Sequence, residues 1–371
     1  MTNLRHLYIR DLQVIVDRNP NCAEVFRRLR LLRSICLNLQ PWDDENDTPL
    51  SQVLDVLPAM KQIAVVGVSK SRIASLDRII QRSRCTLQSL EITGPRGLES
   101  FEDHPLIIYP ALKTVSIRSL NSVNVALAMP NVEDLRLTTG SNASLDLLGN
   151  QVLMPSLRQL DIFMAGHLFG STRPVADPPQ RCLDHLQLKF QTMHQLVYFS
   201  NLVQFSALRS LILDGVMPSD TVFLPDVCPL VLGQCKSLEY LQLSTRNISG
   251  RIEAVSVEAF KTLNRTERMN SYNSRLRYFS LSFGPSTWKG IWANAGDTIL
   301  DDYVEQLFTT FTYLQCVQIT QSNSPLVWKR GAPRGDAVVQ LDSCFRLAYE
   351  SDVPILPSTL EEVADMLDQN L

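Results

Sequence analysis

The sequence predicts an α/β solenoid, a row of strand-plus-return-segment units stacked side by side on one parallel sheet. Three observations point there. A six-residue apolar fragment recurs along most of the 371 residues. The stretches between its copies are long enough for the dozen or more residues that a parallel crossover needs. Several of those stretches carry apolar residues at helical spacing.

The fragment has apolar anchors at its first, fourth and sixth positions. Its twelve copies are Leu4-Leu7-Ile9, Leu32-Ile35-Leu37, Met60-Ile63-Val65, Leu87-Leu90-Ile92, Leu112-Val115-Ile117, Val132-Leu135-Leu137, Leu157-Leu160-Ile162, Leu183-Leu186-Leu188, Leu208-Leu211-Leu213, Leu238-Leu241-Leu243, Leu276-Phe279-Leu281 and Leu314-Val317-Ile319. Successive first anchors lie between 20 and 38 residues apart. The last two anchors are two residues apart, so on a strand they share one face. The first anchor turns in from the approach loop to the same core. One strand cannot bury that row alone, whereas neighbours stacked in parallel can.

The return segments come next. Residues 21–31 place Cys22, Val25, Phe26 and Leu29 at i, i+3, i+4 and i+7, and residues 73–83 place Ile73, Leu76, Ile79 and Ile80 on one face. Residues 193–205 and 298–311 show the same period, so all four are predicted helices. Pro58, Pro110, Pro130 and Pro155 each precede an anchor by two residues. Proline ends a helix and is excluded from a central strand, so each marks the approach to the next strand.

Composition agrees with a continuous core, since hydrophobic residues make up 45% and charged residues 20%. The net charge of −3, from 35 basic and 38 acidic residues, gives no general attraction to nucleic acid or an anionic membrane. No apolar run reaches the length of a membrane span. Met1 to His6 lacks the pattern of a secretory signal, and the eight cysteines are scattered without a C-x-x-C pair. A reduced chain in the cytoplasm or nucleus is expected. Sequons at Asn142, Asn247 and Asn264 are read as chance in that setting.

With these hexads the chain resembles the leucine-rich-repeat superfamily over about residues 4–320, a horseshoe of irregular repeats with a parallel concave sheet. Its irregular unit lengths are similar to those of fungal F-box/leucine-rich-repeat proteins. That resemblance implies substrate recognition for a ubiquitin ligase, with an F-box docking the ligase adaptor. Two departures stand out. The position eight residues after the first anchor, commonly Asn or Cys in the superfamily, is here Leu12, Gln40, Val68, Pro95, Leu120, Gly140, Ala165, Gln191, Val216, Arg246, Gly284 and Ser322. No asparagine ladder is expected, and each turn must satisfy its own backbone groups. The first repeat also begins at Leu4, which leaves no room for an F-box or a cap before it. Either that module is missing from this product, or the first strand pairs with something else. The F-box-like string Leu356 to Val363 is read instead as a helix start, with Ser358 as N-cap and Glu361 completing a capping box. The expected organisation is a solenoid over 1–322, followed by a loop and capping-helix segment over 323–371.

Alternation assigns the residues between anchors to the concave face. Partner binding is expected from Arg118, Arg136, Asp161, Phe163, His185, Lys189, Asp214, Tyr240 and Tyr278, with Asp134 and Ile212 beside them. Aromatic and arginine side chains are the usual energetic anchors of interfaces, and the charged ones fix orientation. Repeats six to eleven therefore carry the expected hot spot. Three inserts break the rhythm: Gly166 to Arg181, the stretch around Trp288 and Trp292, and the basic loop from Pro325 to Gly335 with Trp328, Lys329, Arg330 and Arg334. Long loops of this kind either bind or fold over the solenoid edge.

Phosphate-loop, dinucleotide, nucleophile-elbow and zinc-protease motifs are all missing, and the five histidines are not in ligand spacing. The acidic run from Asp43 reads as a solvated loop, and Asp301-Asp302 as a helix first turn. The expectation is a binding protein with no catalytic residues, cofactor or metal. Its expected partner is a protein on the concave face, with no membrane partner and no nucleic acid. A ligase adaptor would dock through a module outside this sequence. The alternatives are a stand-alone scaffold or inhibitor, and a nucleic-acid binder using the Lys329–Arg334 loop.

Overall fold

In the computed structural model the described residues are 3–10, 12–19, 21–38, 48–67, 73–93, 107–117, 126–139, 147–164, 181–190, 192–215, 235–245, 275–283, 297–321, 324–331 and 335–336. They form a single sheet in strict sequence order. Its strands are β1 His6–Ile9, β2 Ser34–Asn38, β3 Gln62–Val66, β4 Ser89–Thr93, β5 Thr114–Ile117, β6 Asp134–Thr139, β7 Gln159–Met164, β8 His185–Phe190, β9 Ser210–Gly215, β10 Tyr240–Thr245, β11 Tyr278–Phe283, β12 Cys316–Gln321, β13 Ser324–Lys329 and β14 Gly335–Asp336. Every pair from β1 to β12 is parallel, and each strand contains the last two anchors of one hexad. This is the leucine-rich-repeat solenoid that the hexads predict.

Register follows the anchors. Leu135 pairs with Leu160, Leu160 with Leu186, and Leu186 with Leu211. The anchors of neighbouring units thus stack into one continuous core. Between them the residues of the opposite face remain mostly half-buried.

A backbone ladder fixes the approach to each strand. The carbonyl of Arg5, one residue after the first anchor, accepts from the N–H groups of Arg33 (2.7 Å) and Ser34 (3.1 Å). Arg33 O accepts in the same way from Lys61 and Gln62, and the pattern repeats at every unit to Arg277 O, which accepts from Gln315 and Cys316.

The convex side carries α1 Leu12–Arg18, α2 Cys22–Arg27, α3 Thr48–Val56, α4 Ile73–Arg82, α5 Met193–Leu202 and α6 Asp297–Thr310, with a 3-10 turn over Phe205–Ala207. Four of these helices are the predicted ones. α2 and α5 are shorter than their periodic stretches, because the chain must turn into the next approach. At α5, Thr192 and Gln195 form a capping box: Gln195 N–H donates to Thr192 Oγ1 (3.4 Å) and Thr192 N–H donates to Gln195 Oε1 (3.0 Å). α1 and α3 were not expected. The run Val14-Ile15-Val16 disfavours a helix by propensity, yet burial of Leu12 and Val16 against the solenoid decides it. α3 opens with Pro49, preset for the first turn, and buries Val53 and Leu54.

Other expectations fail at the far end. Residues 324–329, read as part of a basic loop, form β13, which runs antiparallel to β12 and carries β14 on its other edge. Trp328 is buried, and its Nε1 donates to Asp301 Oδ1 at 2.7 Å, so it is no exposed binding tryptophan. Asp301 and Asp302 lie beyond the first turn of α6. The proposed helix after Ser358, the Asp43 run, the inserts around Pro174 and Trp288, and Arg334 lie outside the described residues. No described helix is long and apolar enough to cross a membrane.

In place of an asparagine ladder, side chains of a later unit reach back at several junctions to the carbonyls that end a convex segment. Arg82 Nη1 donates to Asp55 O (2.8 Å) and Leu57 O (2.7 Å). Arg181, buried, donates to Leu148 O, Met154 O and Asn150 O. Arg330 donates to Leu314 O, Phe308 O and Phe311 O and lies over the Phe308 ring. Ser83 and Thr86 serve Met60 similarly, through Met60 N–H to Ser83 Oγ (2.9 Å) and Thr86 Oγ1 to Met60 O (2.8 Å).

Burial lowers the Arg181 guanidinium to about 10, still charged at neutral pH. Arg181→Met keeps the apolar stem and orphans three carbonyls, and is expected to cost about 2–4 kcal/mol. Chemical denaturation, with amide exchange at Gln204, whose N–H donates to Arg181 O, measures it; unchanged stability would contradict the bridging role.

Candidate binding face

On the face opposite the core, register sorts the side chains into three rows. The row at the start of the strands runs Asp134, Gln159, His185, Ser210, Tyr240, Tyr278, Cys316. The middle row runs Arg136, Asp161, Gln187, Ile212, Gln242, Ser280, Gln318. The far row runs Thr138, Phe163, Lys189, Asp214, Ser244, Ser282, Thr320. Neighbours in a row sit about 4.8 Å apart along the hydrogen-bonding direction.

The sequence-predicted residues therefore meet in groups. Arg136 and Asp161 are direct neighbours, and Arg136 Nη2 lies 3.7 Å from Asp134 Oδ2 on its own strand. Phe163, Lys189 and Asp214 are consecutive. The Lys189 ammonium lies 4.8 Å above the Phe163 ring centre and 3.9 Å from Asp214 Oδ2. His185 Nδ1 is 2.8 Å from Ser210 Oγ. Tyr240 and Tyr278 are adjacent in register, and Tyr240 O–H donates to Gln242 Oε1 at 2.8 Å. Arg118 lies outside the described residues.

Electrostatics follow from crowding on a half-buried floor. Burial pushes the Asp161 carboxyl up to about 6, with Asp134 adding to it against the pull of Arg136 and Lys189. The Asp161 carboxylate accepts no hydrogen bond from any described residue. Asp134 is likewise raised by burial, with Arg136 opposing. Burial, aided by Arg136, pushes the His185 imidazole down to about 4, so it is neutral at physiological pH. Glu91 on β4 is raised by burial and eased by Arg136. Alternation places it on the open face, and the register of β4 to β6 brings it within range of Arg136. Alternation places Ser210 and Gln242 on this face too, but gives a face and not a pairing.

This arrangement offers two adjacent tyrosines among neutral polar neighbours, with charges of both signs on β6 to β9 of the same face. It suits a partner surface that is itself amphipathic. Among the described residues no three His, Cys, Asp or Glu side chains gather as a metal site.

No family model matches the chain. No curated protein matches it either. Among solved structures, the leucine-rich repeat-containing protein LegL7 from Legionella pneumophila is similar, with a TM-score of 0.45 and 15% identity, over 95% of this chain and 100% of that one.

The Asp161 shift has a signed consequence for stability. Its carboxyl is raised from an unfolded value of about 3.9, so the ionised form destabilises the fold above pH 6, and acidification through 6 relieves this. Asp161→Asn is expected to stabilise by about 1–2 kcal/mol at pH 7.5, with the gain shrinking as pH falls through 6 and gone below about 4. Denaturant midpoints of both proteins across that range measure it, and a pH-independent difference would contradict the assignment.

Proposed function

We propose that this chain is a protein-interaction module holding its partner on the open face of β6 to β11. The observation that carries this reading is the pair Tyr240 and Tyr278, side by side in the first row, on the same face as the Phe163–Lys189–Asp214 group two rows away. Rigid aromatic side chains contribute large contact area at low entropic cost, and surrounding polar groups give orientation. A sheet built of twelve side-by-side units suits a macromolecular surface better than a small ligand.

The test begins with affinity purification of the full chain from its native extract. Tyr240→Ala with Tyr278→Ala is expected to weaken the recovered partner's binding at least tenfold. Tyr313→Ala, at an exposed site in the approach to β12, should leave it unchanged. Equal loss in both variants would remove the open face from consideration.

The finer reading is that the partner is a substrate presented to a ubiquitin ligase. It rests on the resemblance of the irregular repeats to F-box/leucine-rich-repeat proteins. On that reading a ligase adaptor co-purifies with the full-length gene product and stays bound when Tyr240 and Tyr278 are both replaced. An adaptor absent from every purification would leave the scaffold or inhibitor role in its place.

A further inference from the structure

Among the described residues the two ends of the sheet differ. At the far end β13 covers β12 in antiparallel register, and Arg330 and Trp328 tie it to α6 and the approach turn. At the near end no described strand lies on the outer side of β1. Beside that edge an open groove of about 490 Å³ is lined by Leu7, Ile9, Val14, Ile15, Val25 and Phe26. Val14, Ile15 and Val25 are 45%, 43% and 51% exposed, although each sits on a helix whose other face is buried in the core.

The rim of this groove is basic. Arg5, Arg33 and Lys61 follow one another at the starts of β1, β2 and β3, with Arg10 and Arg30 nearby, and all five are exposed. None of them pairs with an acid among the described residues. Residues 1–33 hold seven arginines against Asp11, Asp17 and Glu24. A second groove of the same kind would repel this one, so end-to-end contact of two such grooves is disfavoured.

The sequence contains a segment of opposite character. Residues 358–371 carry Leu360, Val363, Ala364, Leu367 and Leu371 at i, i+3, i+4, i+7 and i+11, which is one helical face. Glu361, Glu362, Asp365 and Asp368 lie between them, without any Lys, Arg or His. Apolar stripe and acidic flank together match an apolar groove with a basic rim.

We propose that residues 358–371 of one copy dock in the β1–α1–α2 groove of a second copy. The apolar stripe covers Val14, Ile15 and Val25, and the carboxylates face Arg5, Arg10, Arg30 and Arg33. Distance favours a second copy over the same one. Eleven strand spacings separate β1 from β12, about 50 Å along the sheet. To reach its own β1 end, the 21 residues 337–357 would have to be drawn out over most of the roughly 70 Å that a fully extended chain of that length spans. A neighbouring copy needs no such stretch. The contact is heterologous, so association continues into rings or filaments and rises with concentration.

Sedimentation velocity of the full chain over about 1–100 µM is the first test. The weight-average mass should climb with concentration, fall back in ~0.5 M salt, and stay monomeric after deletion of 358–371. Val25→Asp with Ile15→Asp should also remain monomeric; both sites are exposed, and an unchanged melting curve establishes that the variant is folded. A fluorescent peptide of residues 356–371 should bind the deleted chain and lose at least roughly tenfold in affinity to the double variant. Three results would overturn the proposal. One is a full chain that stays monomeric while the peptide fails to bind. Another is self-association that survives the deletion. The third is a monomer in which deletion unprotects the amides of α1 and α2, since the segment would then occupy its own groove.

Discussion

The carbonyl that follows each first anchor accepts two N–H groups from the next unit, and the solenoid depends on that repeated bond. It sits where the chain leaves the convex side and becomes a strand, from Arg5 to Arg277. A one-residue slip would break it and would also exchange the core and open faces along the strand. Register, core and binding surface are therefore set by one interaction. The side chains above it are free to be polar. Lys113 and Glu133 pair across neighbouring units at 3.0 Å, and Arg209 and Glu239 at 2.9 Å. Such exposed pairs add little stability, so the ladder is a backbone device.

Unit length can vary because the convex side is held differently. Convex segments end in carbonyls without helical partners. Arg82, Arg181 and Arg330 each reach back from a later unit and gather two or three of them. A guanidinium has five donors in a fixed fork and tolerates more than one segment geometry. An asparagine side chain demands a fixed turn. The superfamily's usual ladder can therefore be missing while the turns remain satisfied.

The open face is balanced within itself before any partner arrives. Arg136 is offset by Asp134 and Asp161, and Lys189 by Asp214 and the Phe163 ring. Long-range electrostatic steering by this region is accordingly weak. Among the described residues, the charge without an acidic partner lies instead at the β1 end, around Arg5, Arg10 and Arg33. Two surfaces of different physics thus sit on one sheet.

The sequence by itself determined the twelve parallel strands, their order and their faces. Twelve hexads such as Leu157-Leu160-Ile162 locate every parallel strand, because a period of two with a buried face admits one register. It also determined which residues share the open face. Only the tertiary structure decided α1, where burial of Leu12 and Val16 overrides a β-branched run. It alone decided that 324–329 pairs as β13 and not as a loop, because Trp328 finds Asp301 and Arg330 finds the end of α6 across the fold. The charge states of Asp161 and His185 were equally beyond reach, since they depend on neighbours contributed by other units. Periodicity is local and survives in the sequence; satisfaction of buried polar groups is a property of what the stacked units bring together.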